Sequence, residues 1–185
     1  MTERLASDDA ALIASVKLGE GLVLRAYPDP LSPRGKQEAL PPKQRAPGWS
    51  TLSGAPWTIG YGHTSGEVRD GLCWTKDQAE AALIADLANA CEALDERLPW
   101  WRGLQLDAQR VQAEMCFNLG IGGLLGFHRF LAEMQAHRYG AAAVDMTQSL
   151  WARQVGARAT RLHDRLAALD GSAGGADLTR KALEA

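Results

Sequence analysis

Nowhere in the chain do eighteen apolar residues follow one another, so no segment reads as a membrane span. The opening stretch MTERLASDDA has no apolar h-region, and no signal peptide is expected. Cysteine is scarce. Cys73, Cys91 and Cys116 are odd in number, far apart and without a CxxC pair. That pattern excludes a disulfide framework and suggests buried thiols made in a reducing cytoplasm. Charge of one sign is lacking too. The net charge of −2 argues against a nucleic-acid partner held by bulk electrostatics, although residues 100–170 are mildly basic and would offer a polyanionic polymer weak attraction. His128, His137 and His163 show no metal-ligand spacing and read as surface residues. GYGHTSG has the wrong glycine spacing for a nucleotide loop, and no βαβ pattern surrounds it. No internal repeat or low-complexity tract occurs.

What is present is Ala and Leu at helical spacing, in a chain long enough for one domain with a real core. Residues 8–19 read as a first helix, with SDD as N-cap and Leu12, Val16 and position 20 on one face; Gly21 is its stop. LVLRAY (22–27) and WTIGYGH (57–63) alternate as short strands. TKDQ (75–78) is a Thr-x-x-Gln capping box, opening a helix to about Leu98 with a stripe of Ala79, Leu83, Leu87, Ala90, Leu94 and Leu98. LPWW breaks it, and Asp107 starts a helix ending at NLGIGG. Helical patterns follow at about 127–138, 141–151 and 158–168. The expected fold class is α+β: one domain over 1–170, with a β-lobe at about 22–74, a helical lobe at about 8–20 and 91–170, a linking helix at 75–98, and a tail at 171–185.

Two carboxylates flank the first strand. Glu20 extends the apolar stripe of Leu12 and Val16 at a helix C-terminus, where the dipole and an apolar setting both raise a carboxyl pKa. A general acid near neutral pH needs that property. The alternative is a solvated glutamate fraying off the helix end. Asp29, in Tyr-Pro-Asp-Pro, is held rigidly by its prolines and is either a turn former or a preorganised base. In a strand through 57–63, Thr58, Gly60 and Gly62 would share one face, bare backbone with one hydroxyl on which a flat substrate could lie. The plainer alternative there is a β-hairpin with glycine kinks.

EGLVLRAYPDP, WTIGYGHTSG and TKDQAEAALIADL, in this order, resemble the phage-type lysozymes of glycoside hydrolase family 24. LDAQRVQAEMCFNLGIGGLLGF and SLWARQVGARATRL are similar to that family's helical lobe. The likeness runs from about residue 11 to 170 with one insertion, and departs from the family at FHRFL (127–131). It implies a lysozyme-like fold with the active-site cleft between a small β-lobe and a larger helical lobe. The family's Glu, its Asp nine residues on, and the Thr of its TIGYGH strand fall on Glu20, Asp29 and Thr58. The implied activity is that of an endolysin, a muramidase without metal or cofactor. It would hydrolyse the β-1,4 bond between N-acetylmuramic acid and N-acetylglucosamine in peptidoglycan, with inversion. The resemblance also implies host lysis at the end of a phage cycle: a monomer accumulates in the bacterial cytoplasm and reaches the periplasm through a holin-type lesion.

Further residues follow from the same likeness. His63 and Asp86 are expected to form a structural pair, since Asp86 falls on the apolar stripe of the 75–98 helix and needs a partner. Phe117 and Asn118 correspond to the cleft wall, where a ring beside an amide suits an N-acetylated sugar; Phe117 could equally be core. Arg158 matches an arginine that approaches the family's Glu, the alternative being a surface cation. The insertion, PRGKQEALPPKQRAPGWSTLS (33–53), has four basic residues and one acid, and its prolines at 33, 41, 42 and 47 oppose helix and sheet. It is expected to be an exposed loop attracting polyanionic envelope material, or else a disordered linker. Two rival functions remain open: a lytic transglycosylase, which needs only one carboxylate, and a wall-binding module, which needs none.

Overall fold

The computed structural model describes the backbone of residues 3–183 and the side chains of residues 3–170. Its elements in chain order are α1 (Ala10–Glu20), β1 (Val23–Pro28), α2 (Pro33–Glu38), β2 (Trp57–Gly60), β3 (His63–Thr64), α3 (Lys76–Arg97), α4 (Leu106–Leu125), α5 (His128–Gln135), α6 (Tyr139–Thr147), α7 (Leu150–Val155) and α8 (Ala157–Leu183). Short 3-10 turns occur at Pro42–Gln44, Trp49–Thr51 and Pro99–Gly103. The class is α+β, as expected. Two compact units arise, one of residues 13–86 and one of residues up to 12 together with those from 87 onward. The division cuts α1 after Leu12 and α3 after Asp86, whereas the sequence assigned the first helix wholly to the helical lobe.

In the unit of residues 13–86, the sheet has the antiparallel order β1-β2-β3. Val23 pairs with Gly60, Tyr27 with Thr58 and Pro28 with Trp57. Ala26, Ile59 and Val68 form its core, covered by Trp57, Leu72 and Trp74. The expected single strand over 57–63 is instead a hairpin, the plainer of the two readings. Gly60 (φ +69°) and Gly62 (φ +89°) turn the chain in left-handed backbone that a side chain resists. Tyr61 swings into the interior, 6% exposed, and alternation stops at Gly60. The segment 72–74 runs along β1, with Ala26 N–H donating to Leu72 O at 2.9 Å and Trp74 N–H to Leu24 O at 2.8 Å. Leu72 and Trp74 point inward there, so Cys73 between them points out and is exposed, contrary to the expectation of three buried thiols. Cys91 and Cys116 are buried.

The insertion is not a plain loop. Pro33 opens α2 behind the N-cap Ser32, and Pro42 opens a 3-10 turn. Proline suits a first helical position, where its missing N–H would have had no partner, so these two prolines start structure instead of opposing it.

In the other unit α4 is buried all round from Val111 to Cys116, and Trp101, Phe130, Met134, Tyr139 and Leu162 are buried in the same unit. Asp9 caps α1 by accepting Leu12 N–H at 2.8 Å, and takes Arg110 through Nε at 2.9 Å and Nη2 at 2.8 Å. Gly120 (φ +68°) kinks α4 where an end was expected, and the helix resumes to Leu125. The single helix expected at 141–151 is two, because Ser149 caps α7 by accepting Ala152 N–H at 3.0 Å. The run expected as a tail continues α8 to Leu183. Residues 157–183 contain no proline to interrupt the ladder of backbone hydrogen bonds.

Candidate active site

Glu20 is the last residue of α1, closed by Gly21 (φ +72°). Leu12 and Val16 on its stripe are fully buried, while Glu20 itself is half-buried. Beyond this stripe, Lys17 Nζ reaches Glu80 Oε1 at 2.7 Å and ties α1 to α3. The Glu20 carboxylate lies against the hairpin tip. A Cβ at Gly62 would stand 3.4 Å from Glu20 Oε2, so bare backbone faces the carboxylate there.

Asp29 is anchored at every polar backbone atom. Its N–H is shared between Pro56 O at 2.9 Å and Gly54 O at 3.1 Å. Its carbonyl accepts Ser32 N–H at 2.9 Å and Ser32 Oγ–H at 2.6 Å. Oδ1 accepts Leu31 N–H at 2.6 Å. This is the turn-forming arrangement weighed from the sequence. It does not exclude the base role, because a carboxylate has accepting sites to spare.

Tyr27 joins the pieces. It faces Thr58 across the β1–β2 pair. Burial pushes the phenol's pKa up, the Thr58 hydroxyl opposes this, and the negative charges of Glu20 and Asp29 add to the rise. One phenol thus senses both carboxylates and stands opposite the threonine. The sequence reading passed over Tyr27. The available signal was cross-strand pairing, since setting 22–27 against 57–60 in antiparallel register places it opposite Thr58.

Gly60 departs from the expected substrate face. It is buried, and a Cβ there would meet the Trp74 ring at 3.1 Å and Ala79 Cβ at 3.4 Å. Its bareness serves packing. His63 Nδ1 lies 2.8 Å from Asp86 Oδ2, joining β3 to α3, and the imidazole leans on Trp74 with ring centroids 5.3 Å apart.

Phe117, Asn118 and Arg158 belong to the helical unit. Phe117 is half-buried. Asn118 Oδ1 accepts Trp151 Nε1–H at 2.7 Å, which fixes an indole packed edge-on against Phe127. Phe127, Phe130 and Trp151 line a pocket of about 580 Å³, so the FHRFL segment contributes aromatic surface. Arg158 is 5% exposed, with Nε 3.7 Å from Oε1 of the buried Glu114, which also draws Arg161 Nη2 to 3.8 Å. It is no surface cation. Among the described residues no three His, Cys, Asp or Glu side chains are grouped so as to hold a metal ion, and no helix is long and apolar enough to cross a membrane.

A family model described as phage lysozyme matches residues 45–168. The chain belongs to the phage lysozyme family. No curated protein matches it. Membership makes the chain a glycoside hydrolase with peptidoglycan as its substrate class, and its α+β architecture is lysozyme-like. The matched stretch contains Thr58, the hairpin tip, α3 to α7 and the first part of α8 of this phage lysozyme. It begins beyond Glu20 and Asp29, whose candidacy rests on their chemistry and on their common link to Tyr27.

Proposed function

We infer that this phage lysozyme is a muramidase, cutting the β-1,4 bond between N-acetylmuramic acid and N-acetylglucosamine by an inverting displacement. The observation that carries the reading is the framework of residues 13–86, in which the Glu20 carboxylate faces Gly62 at the hairpin tip, Asp29 is anchored at the end of β1, and Thr58 stands on the paired β2. Glu20, protonated, donates to the glycosidic oxygen as the C1–O bond breaks and the ring gains oxocarbenium character. Asp29, ionised, takes a proton from a water attacking C1 on the opposite face, and Thr58 helps hold that water. Gly62 leaves room for the sugar beside Glu20. His63 and Asp86 are assigned a structural role, tying the hairpin to α3. The enzyme acts as a monomer on peptidoglycan after escaping through a holin-type lesion, and so lyses the host.

Turbidity of outer-membrane-permeabilised Gram-negative cells tests the enzyme against a binding module. Wild type clears them, while Glu20→Gln, which lacks the transferable proton, does not. Asp29→Asn is nearly as severe. An Asp29→Asn protein at the wild-type rate overturns the base assignment and favours a lytic transglycosylase, whose anhydro-muramic ends mass spectrometry detects. Proton NMR of a fresh digest gives α-anomeric reducing ends under inversion; β-anomers would refute it.

A further inference from the structure

The insertion at 33–53 is built against one residue of the proposed site. Gly35, buried in α2, packs so closely on the Asp29 peptide that a Cβ would come within 2.0 Å of Asp29 O and 2.9 Å of Pro30 Cα. Ser32 Oγ donates to that same carbonyl at 2.6 Å and accepts Gly35 N–H at 2.9 Å, so the N-cap of α2 and the hold on Asp29 are one group. Just beyond the far end of the insertion Gly54 fits under Trp57 and Pro28, where a Cβ would stand 2.5 Å from the indole and 2.7 Å from Pro28 Cβ. Gly54 O then accepts Asp29 N–H. Gly35 within the insertion, and Ser32 and Gly54 immediately beside its two ends, therefore converge on Asp29.

Arg34 locks the middle. Its Nε reaches Glu38 Oε1 at 2.9 Å, its Nη1 pairs with Asp70 and reaches Ser50 O at 3.3 Å, and its guanidinium lies 5.0 Å from the Trp57 ring centre. Arg45 is spent in the same way, donating to Leu40 O and Glu38 O and lying 4.7 Å from the Trp49 ring centre. Two of the insertion's four cations thus serve its own folding, which weakens the expectation of a lure for anionic envelope material.

We propose that the insertion, together with the adjoining Ser32 that caps its helix, is a brace that positions Asp29, with Gly35 and Ser32 as its positioning residues. The inference rests on Asp29 being the base. A small displacement of a reacting group can cost about a hundredfold in turnover with little change in ground-state binding. On short soluble glycan fragments, Gly35→Ala lowers kcat by roughly ten- to a hundredfold, with KM changed less than about twofold. Ser32→Ala lowers kcat by several-fold, and Ser32→Thr, which keeps the hydroxyl, restores it. In an Asp29→Asn background, where residual turnover is followed by chromatography over days, neither change costs anything more, because two groups acting through one site are not additive. A melting midpoint within a few degrees of wild type marks the variants as folded, and if Gly35→Ala fails that criterion the Ser32 pair decides. Wild-type kcat in the folded variants overturns the brace while leaving the base assignment intact, and so does an equal proportional loss in the Asp29→Asn background. A fully active Asp29→Asn protein removes the base assignment and the brace with it.

Discussion

Tyr27 stands opposite Thr58 and feels the charges of Glu20 and Asp29, and its hydroxyl is the group able to bond the Thr58 side chain across the strand pair. Replacing Tyr27 with Phe keeps the ring and removes that hydroxyl. A hydrogen bond of this kind contributes on the order of 1 kcal/mol, so Tyr27→Phe should lower kcat about five- to tenfold with the fold intact. Steady-state kinetics on soluble glycan fragments check this, and a wild-type rate would show that Thr58 needs no such support. Residue-scale roles were unevenly legible in the sequence. As candidates, Glu20 and Asp29 stand out by local features, a helix end and a pair of prolines. Tyr27 acquires meaning only through strand register. Gly60 was misjudged because its neighbour, Trp74, lies fourteen positions away and no local pattern predicts the contact.

Among the elements, α4 carries an unusual load, a glutamate 1% exposed at the centre of a helix buried all round. Glu114 is an acidic neighbour of both Arg158 and Arg161. Removing one member of a buried ion group costs about 3 kcal/mol or more, since the opposite charge stays desolvated. Glu114→Ala should therefore lower the melting midpoint by roughly 6–12 °C, and calorimetry beside Glu114→Gln, which keeps the volume, measures how much is charge. The sequence showed α4 as a helix but gave no sign of this group, whose members are separated by more than forty residues. Elements fixed by local chemistry were easier. The Thr75–Gln78 box exists in both directions, at 2.8 Å and 3.2 Å, because four consecutive residues contain all of it. The hairpin was legible as one of two readings, through its glycines, but the folded insertion depended on glycine packing and on Arg34 contacts spread from Glu38 to Asp70, which spacing does not reveal.

For the whole molecule the ion pairs set the response to acid. A hydrogen bond from Arg110 holds Asp9 below its usual pKa of 3.8, and one from Arg102 does the same for Asp95. Lys17 and Arg138 act likewise on Glu80 and Glu133. Unfolded, these carboxyls take up protons near pH 4; folded, they resist until lower pH. Their stabilisation is therefore complete above about pH 5 and is lost as the pH falls through the folded values. The melting midpoint should drop steeply below pH 4, and Asp9→Asn should be less stable at pH 7 yet lose less between pH 4 and pH 2. A pH series of thermal melts tests both. The thiols give the molecule another global property. Burial pushes Cys91 up and takes Cys116 to about 11, while Cys73 stands exposed on the sheet edge. Thiolate is the reactive form, so a maleimide at neutral pH has one partner among the three. The native chain therefore offers a single attachment point for a dye or a solid support, with no cysteine to remove first.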